Sequence, residues 1–178
     1  AVEFYCPAMA STWTKKQHPV INNIYAHLSD SVYVVDAYTN ISKHTDEHIY
    51  SRTDHHWAPL GAYYAAQEFA RVAEVPFPDT TAYDKHIVRR FVGSMYGYSK
   101  DVAVKNAPED FIYYTPNNVE YSTTYINFTI NDKYQVTGES HSYKGVYFFK
   151  YKDGNGAAYS TFMGGDTKLT TVKTSTQN

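Results

Sequence analysis

Apolar and polar positions along this chain fall into two textures, with the change near Pro76 and Pro78. Val2 to Cys6 is a short apolar run closed by Pro7 and predicts a buried strand. From Pro19 to Leu28, Val20, Ile21, Ile24, Tyr25 and Leu28 recur at helical spacing and predict an amphipathic helix. Ser31 to Tyr38, carrying Val32, Val34 and Val35 between polar turns, predicts a second strand. Strand, helix and strand within about 40 residues is the pattern of a right-handed parallel crossover, and so of an α/β sheet. Ile41 to His48 predicts a short helix and His48 to Ser51 a strand. Pro59 to Glu74 predicts a longer helix, opened by Pro and lined by Ala62, Ala65, Ala66, Phe69, Ala70 and Val72.

Beyond the two prolines, and above all from Phe111 onward, Tyr, Thr, Val and Phe dominate. Tyr121 to Ile130 alternates as a half-buried strand does. Gly145 to Tyr151 predicts another strand, Asp153-Gly154-Asn155-Gly156 has turn chemistry, and Thr167 to Thr174 predicts a last strand. The expectation is one domain over 1–178: a parallel α/β core at about residues 1–75 and an antiparallel β excursion at about 110–178. The chain opens in a strand-like run and stops just after a strand, where a parallel sheet normally continues. A domain incomplete at both ends follows, with a truncated sheet edge able to pair with a second copy.

Composition narrows the partners. Sixteen Lys and Arg against eighteen Asp and Glu give a net charge of -2, with no field to gather nucleic acid or anionic lipid. No run approaches the roughly 18 apolar residues of a membrane span, and no leader peptide is visible. The single cysteine, Cys6, forbids an internal disulfide and reads as a small core residue. Nineteen Tyr and nine Phe suit stacking platforms for sugars, although half-buried strands use the same residues.

Four of the eight histidines, His44, His48, His55 and His56, fall close together, with Asp46, Glu47 and Asp54 among them. Thr53-Asp54-His55-His56-Trp57 lies between a predicted strand and the Pro59 helix, an edge where α/β proteins build sites. An Asp two residues before a His can hold one imidazole nitrogen, and the other can then take a proton from a nucleophile. The same spacing also occurs in solvated loops. His44 and His48, four apart, would share a helical face and could bind zinc with His55 or His56. However, His44-Thr45-Asp46-Glu47-His48 lacks the zinc-protease order and no Cys supports a metal site. No cofactor is implied.

The stretch Ile49 to Tyr64, centred on Asp54-His55-His56-Trp57, resembles the signature of bacterial DHHW proteins. These in turn resemble the SGNH-hydrolase-like domains of alginate O-acetyltransferases. Phe91-Val92-Gly93-Ser94-Met95-Tyr96 and Tyr159-Ser160-Thr161-Phe162-Met163-Gly164-Gly165-Asp166 are similar to later segments of the family. The resemblance spans nearly the whole chain and implies an SGNH/flavodoxin-like sheet. It makes Asp54 the orienting acid and His56 the general base, with His55 in a variable slot and Trp57 beside the imidazole. Arg52, Ser94, Tyr96, Gly164, Gly165 and Asp166 are expected as site neighbours, the two glycines in a plain turn or beside an oxyanion.

The resemblance also implies a nucleophilic serine in a turn beyond residue 178, so the chain itself is expected to be inactive. Ser94 and Ser160 are not expected at a strand-to-helix elbow. The function that follows is part of a serine esterase or O-acetyltransferase. Its substrate would be acetylated bacterial surface or extracellular polysaccharide, or a small ester, met outside the cell or at its surface. A non-catalytic carbohydrate-binding module and a metal-dependent hydrolase using the His44–His56 cluster are the alternatives.

Overall fold

The computed structural model describes residues 1–13 and 15–176. Helices α1 (Val2–Tyr5), α2 (Pro7–Trp13), α3 (Gln17–Tyr25), α4 (Ala37–Ser42) and α5 (Pro59–Val72) come first. Then follow β1 (Tyr83–Phe91), α6 (Ser94–Ser99), α7 (Val102–Lys105), β2 (Glu109–Pro116), β3 (Tyr121–Ile130), β4 (Val136–Gly145) and β5 (Leu169–Thr174). The strands form two antiparallel sheets, β1-β2 and β4-β3-β5.

The expected SGNH/flavodoxin-like parallel sheet is therefore overturned. Of its three expected strands, two are something else and His48 to Ser51 keeps only the antiparallel Tyr50–Trp57 bridge. Val2 to Tyr5 is a helical turn, with Glu3 in that turn accepting from the Gln17 amide at 2.7 Å. The apolar run from Ser31 has no strand partner among the described residues and ends at Asp36. That carboxylate caps the Thr39 amide at 3.0 Å and starts α4. A strand needs a neighbour for its backbone groups, whereas a capped turn supplies its own. The expected helix Ile41 to His48 is shorter and earlier, as α4. The expected strand Gly145 to Tyr151 is irregular apart from a Phe148–Phe162 bridge, and its place is taken by β4. Pro59 does open α5 at its first turn, Tyr121 to Ile130 is β3, and the last strand is β5.

Two features of this fold position the site. The first is the loop from Ile49 to Ala58, closed as a hairpin by Ala58 N–H to Ile49 O at 2.9 Å, Ser51 N–H to His56 O at 3.3 Å and a Tyr50–Trp57 bridge. Ile49 is fully buried, and Gly61 of α5 lies so near its carbonyl that any Cβ there would clash. The loop is thus clamped to the first turn of α5. The second is the β1-β2 ribbon, whose register runs Tyr83↔Pro116 to Phe91↔Glu109 with an irregularity after Val88. Val88, Phe91, Phe111 and Tyr113 of this ribbon bury against Ala158, with Tyr159 and Phe162 packed on top. The 153–162 segment is tied to β1 by Gly154 N–H to Arg89 O at 2.7 Å and by the Arg89 amide to Asp153 at 2.8 Å. The β4-β3-β5 sheet buries Thr123 and Tyr125, while β4 is exposed throughout. No helix among the described residues is long and apolar enough to cross a membrane.

Candidate active site

Three segments meet around a cleft of about 710 Å³: the loop carrying Asp54, His55 and His56, the turn from β1 into α6, and the 156–166 stretch. Asp54 is almost wholly buried, its side chain 5% exposed, and its two oxygens face different walls. Oδ1 accepts from the Nδ1–H and the backbone amide of His56. Oδ2 accepts from the Ser94 amide at 2.7 Å. Burial alone would raise its pKa, but the hydrogen bonds from Ser94 and His56 outweigh burial and hold it below the usual carboxylate range. Because an ionised carboxylate only accepts, His56 carries its proton on Nδ1 and Nε2 is left as the basic nitrogen.

His56 lies flat on Tyr159, ring centroids 4.0 Å apart and planes 13° from parallel. Burial pushes the Tyr159 hydroxyl pKa up, against a hydrogen bond from Trp57 that lowers it. His55 tilts against His56 with centroids 3.8 Å apart, and its Nδ1 is hydrogen-bonded to Ser94 Oγ at 2.5 Å. Both histidines line the cleft. What separates them is the carboxylate bond, which His56 makes. His55 Nδ1 stands 3.6 Å from Asp54 Oδ1.

Ser94 opens α6, with only Val92 and Gly93 between it and the end of β1. It does sit at a strand-to-helix turn, contrary to expectation. Gly93 makes this approach feasible: a Cβ there would lie 2.5 Å from the Cβ of Asp54 and closer still to its carboxylate. Tyr96, Ser160, Gly165 and Asp166 also line the cleft, as does Tyr98, which is 79% exposed. Gly164 and Gly165 have positive φ, and the Gly165 amide is taken by Phe162 O at 3.2 Å, which is turn geometry. Arg52 points elsewhere, its Nε 3.8 Å from Glu109.

The histidine cluster divides. His44 pairs with Glu47 at 2.7 Å and stacks on Tyr64, while His48 donates to Glu109 at 2.9 Å. They share no helix, since α4 ends at Ser42. The group able to hold a metal among the described residues is Asp54, His55 and His56, one ligand atom from each lying within 4.8 Å of the others. Three residues that matter here escaped the sequence pattern: Glu109, Tyr159 and Gly93. Gly93 and Tyr159 stand in segments whose likeness to a family is legible, but Glu109 opens a strand as an ordinary surface charge would.

Fold and cleft together define a small mixed α and β domain that holds a carboxylate–imidazole pair between a hairpin loop and a strand-to-helix turn. The chain belongs to the DHHW family, described as DHHW protein, whose model matches residues 7–177. It is similar to the crystal structure of a DHHW family protein from Eubacterium siraeum DSM 15702, with a TM-score of 0.80 and 36% identity. That likeness covers 98% of this chain and 55% of that one, so the chain spans little more than half the length of its relative. No curated protein matches the chain.

Proposed function

We propose that Asp54 and His56 are the orienting acid and general base of an acyl-ester site, in an esterase or O-acetyltransferase. The observation that carries this is the nearly buried Asp54 carboxylate bonded to His56 Nδ1 at an open cleft. The Asp-x-His-Trp spacing, similar to that of alginate O-acetyltransferases, supports the acyl class. The substrate proposed is acetylated bacterial surface or extracellular carbohydrate, met outside the cell. Tyr98, exposed at the cleft, suits a sugar ring.

In this reaction a hydroxyl adds to the acetyl carbonyl and its proton passes to His56 Nε2. Asp54 stabilises the imidazolium through the Nδ1–H bond. Collapse of the tetrahedral species breaks the ester C–O bond, and the departing sugar oxygen takes the proton back. Water or a second sugar hydroxyl then accepts the acetyl group. Ser94 is a nucleophile candidate among the described residues, but its hydroxyl is bonded to His55 Nδ1 and must rotate to deliver its proton to His56; the rest of the protein is the other source.

His56→Ala in the full-length protein is expected to lower turnover of a chromogenic acetyl ester by roughly 10⁴-fold while circular dichroism stays unchanged. An unaltered rate from a folded variant would sink the assignment. Ser94→Ala, run beside it, separates the two sources of nucleophile. A second reading has one observation in its favour: the Asp54, His55 and His56 ligand atoms are near enough to one another to hold one cation, which would supply Lewis-acid chemistry there.

A further inference from the structure

Among the described residues Glu109 is the buried side chain that accepts the most hydrogen bonds, and nothing in the proposed chemistry uses it. It opens β2, its side chain is 1% exposed, and it lies opposite Phe91 where the β1-β2 register shifts. Oε1 accepts from Ser51 Oγ at 2.5 Å, Thr53 Oγ1 at 2.6 Å and the Thr53 amide at 2.8 Å. The Arg52 amide reaches both oxygens at 3.0 Å, and His48 Nε2 donates to Oε2 at 2.9 Å.

The direction of these bonds carries the argument. A carboxylate only accepts, so the Ser51 and Thr53 hydroxyls must both point their protons at Glu109. Their lone pairs then face the other way, and each meets a backbone amide of the cleft. Ser51 Oγ accepts from Asp54 N–H at 3.1 Å, and Thr53 Oγ1 accepts from Gly93 N–H at 3.1 Å. Thr53 O takes the Met95 amide at 3.0 Å. One buried charge thus sets the polarity of two hydroxyls. Those hydroxyls fix the catalytic loop and the β1–α6 turn against each other, with the Asp54 carboxylate between them.

We propose that Glu109 is a positioning residue of the Asp54–His56 site, acting through Ser51 and Thr53 to aim the Asp54 carboxylate at His56 Nδ1. Its own ionisation fits the role. Burial opposes the charge, yet the donors from His48, Ser51, Thr53 and Arg52 prevail and hold its pKa well below the usual range. Glu109 therefore stays an acceptor throughout the physiological range. This inference rests on the reading of Asp54 and His56 as the reacting pair, but its first test does not require turnover.

The test uses the full-length protein with ¹⁵N-labelled histidine, Glu109→Leu and Ser51→Ala variants, and Asp54→Asn to assign the signal. In wild-type protein the His56 Nδ1 proton should give a downfield resonance that Asp54→Asn removes. Leu leaves both hydroxyls without the Oε1 acceptor they share, and Ala at position 51 removes one relay outright. Both variants should displace or abolish that resonance while the remaining amide spectrum is retained. They should also lower kcat on an acetyl ester about 10²-fold with KM nearly held, the signature of a misaimed group. A resonance unchanged in either folded variant overturns the proposal. If Glu109→Leu fails to fold, Ser51→Ala decides alone, since it leaves every charge in place. Should the wild-type protein lack esterase turnover, the acyl reading falls while the resonance still decides whether Glu109 aims Asp54.

Discussion

Gly93→Ala isolates what close approach contributes to this site. Gly93 has φ -81°, a conformation that any residue adopts, so the substitution carries no backbone strain. The new methyl, however, falls onto the Cβ, Cγ and Oδ2 of Asp54. Two effects oppose each other. Restricting the unfolded chain favours the variant by about 0.4–1 kcal/mol. Overpacking against a clamped, nearly buried carboxylate costs about 1–3 kcal/mol. Pushing Asp54 away also strains its bond from the Ser94 amide, and a hydrogen bond to a charged group contributes about 1.5–3 kcal/mol. The last two overlap, because relieving the clash is what lengthens the bond. A net loss of about 2 kcal/mol follows, large against the roughly 5–15 kcal/mol of a typical domain. Urea unfolding followed by fluorescence measures it. Gly97→Ala is the internal control: Gly97 lies within α6 with nothing inside 4 Å of its added Cβ, so it should gain about 0.5–1 kcal/mol. A Gly93→Ala protein as stable as the Gly97→Ala one would refute the packing argument.

Acid is expected to weaken the fold through two carboxylates. Asp54 and Glu109 both titrate below their ordinary values of 3.8 and 4.5 when folded, so the stability they add is complete above those values. It is lost as pH falls through the lower folded values, because the unfolded chain takes up protons first. The urea midpoint should therefore be insensitive to these groups near neutrality and fall below about pH 4.5, less steeply in Glu109→Gln; a midpoint that rises on acidification contradicts this. Added Zn²⁺ should inhibit turnover by displacing the His56 proton from Asp54, and His55→Ala should weaken that inhibition by removing one of three ligands. Activity that a chelator abolishes and Zn²⁺ restores would instead favour the metal reading.

Local chemistry was legible in the sequence. A helix closes its hydrogen bonds within four residues, so Pro59 and the apolar stripe behind it were enough to announce α5. Alternation sufficed for β3, and an Asp two residues before a His for the Asp54–His56 bond. What the chain could not disclose is which distant segment each strand would choose. A short apolar run satisfies its backbone equally by pairing, by coiling into α1, or by stopping at a cap such as Asp36, and only the assembled fold decides. The antiparallel ribbon that replaced the expected parallel core is one such decision. It also brought Glu109 to Thr53, 56 positions away, Ser94 to Asp54, 40 positions away, and Tyr159 onto His56. Those contacts join residues that no local spacing relates, so the Asp54–His56 pair was written in the sequence while the walls and supports around it came from tertiary structure.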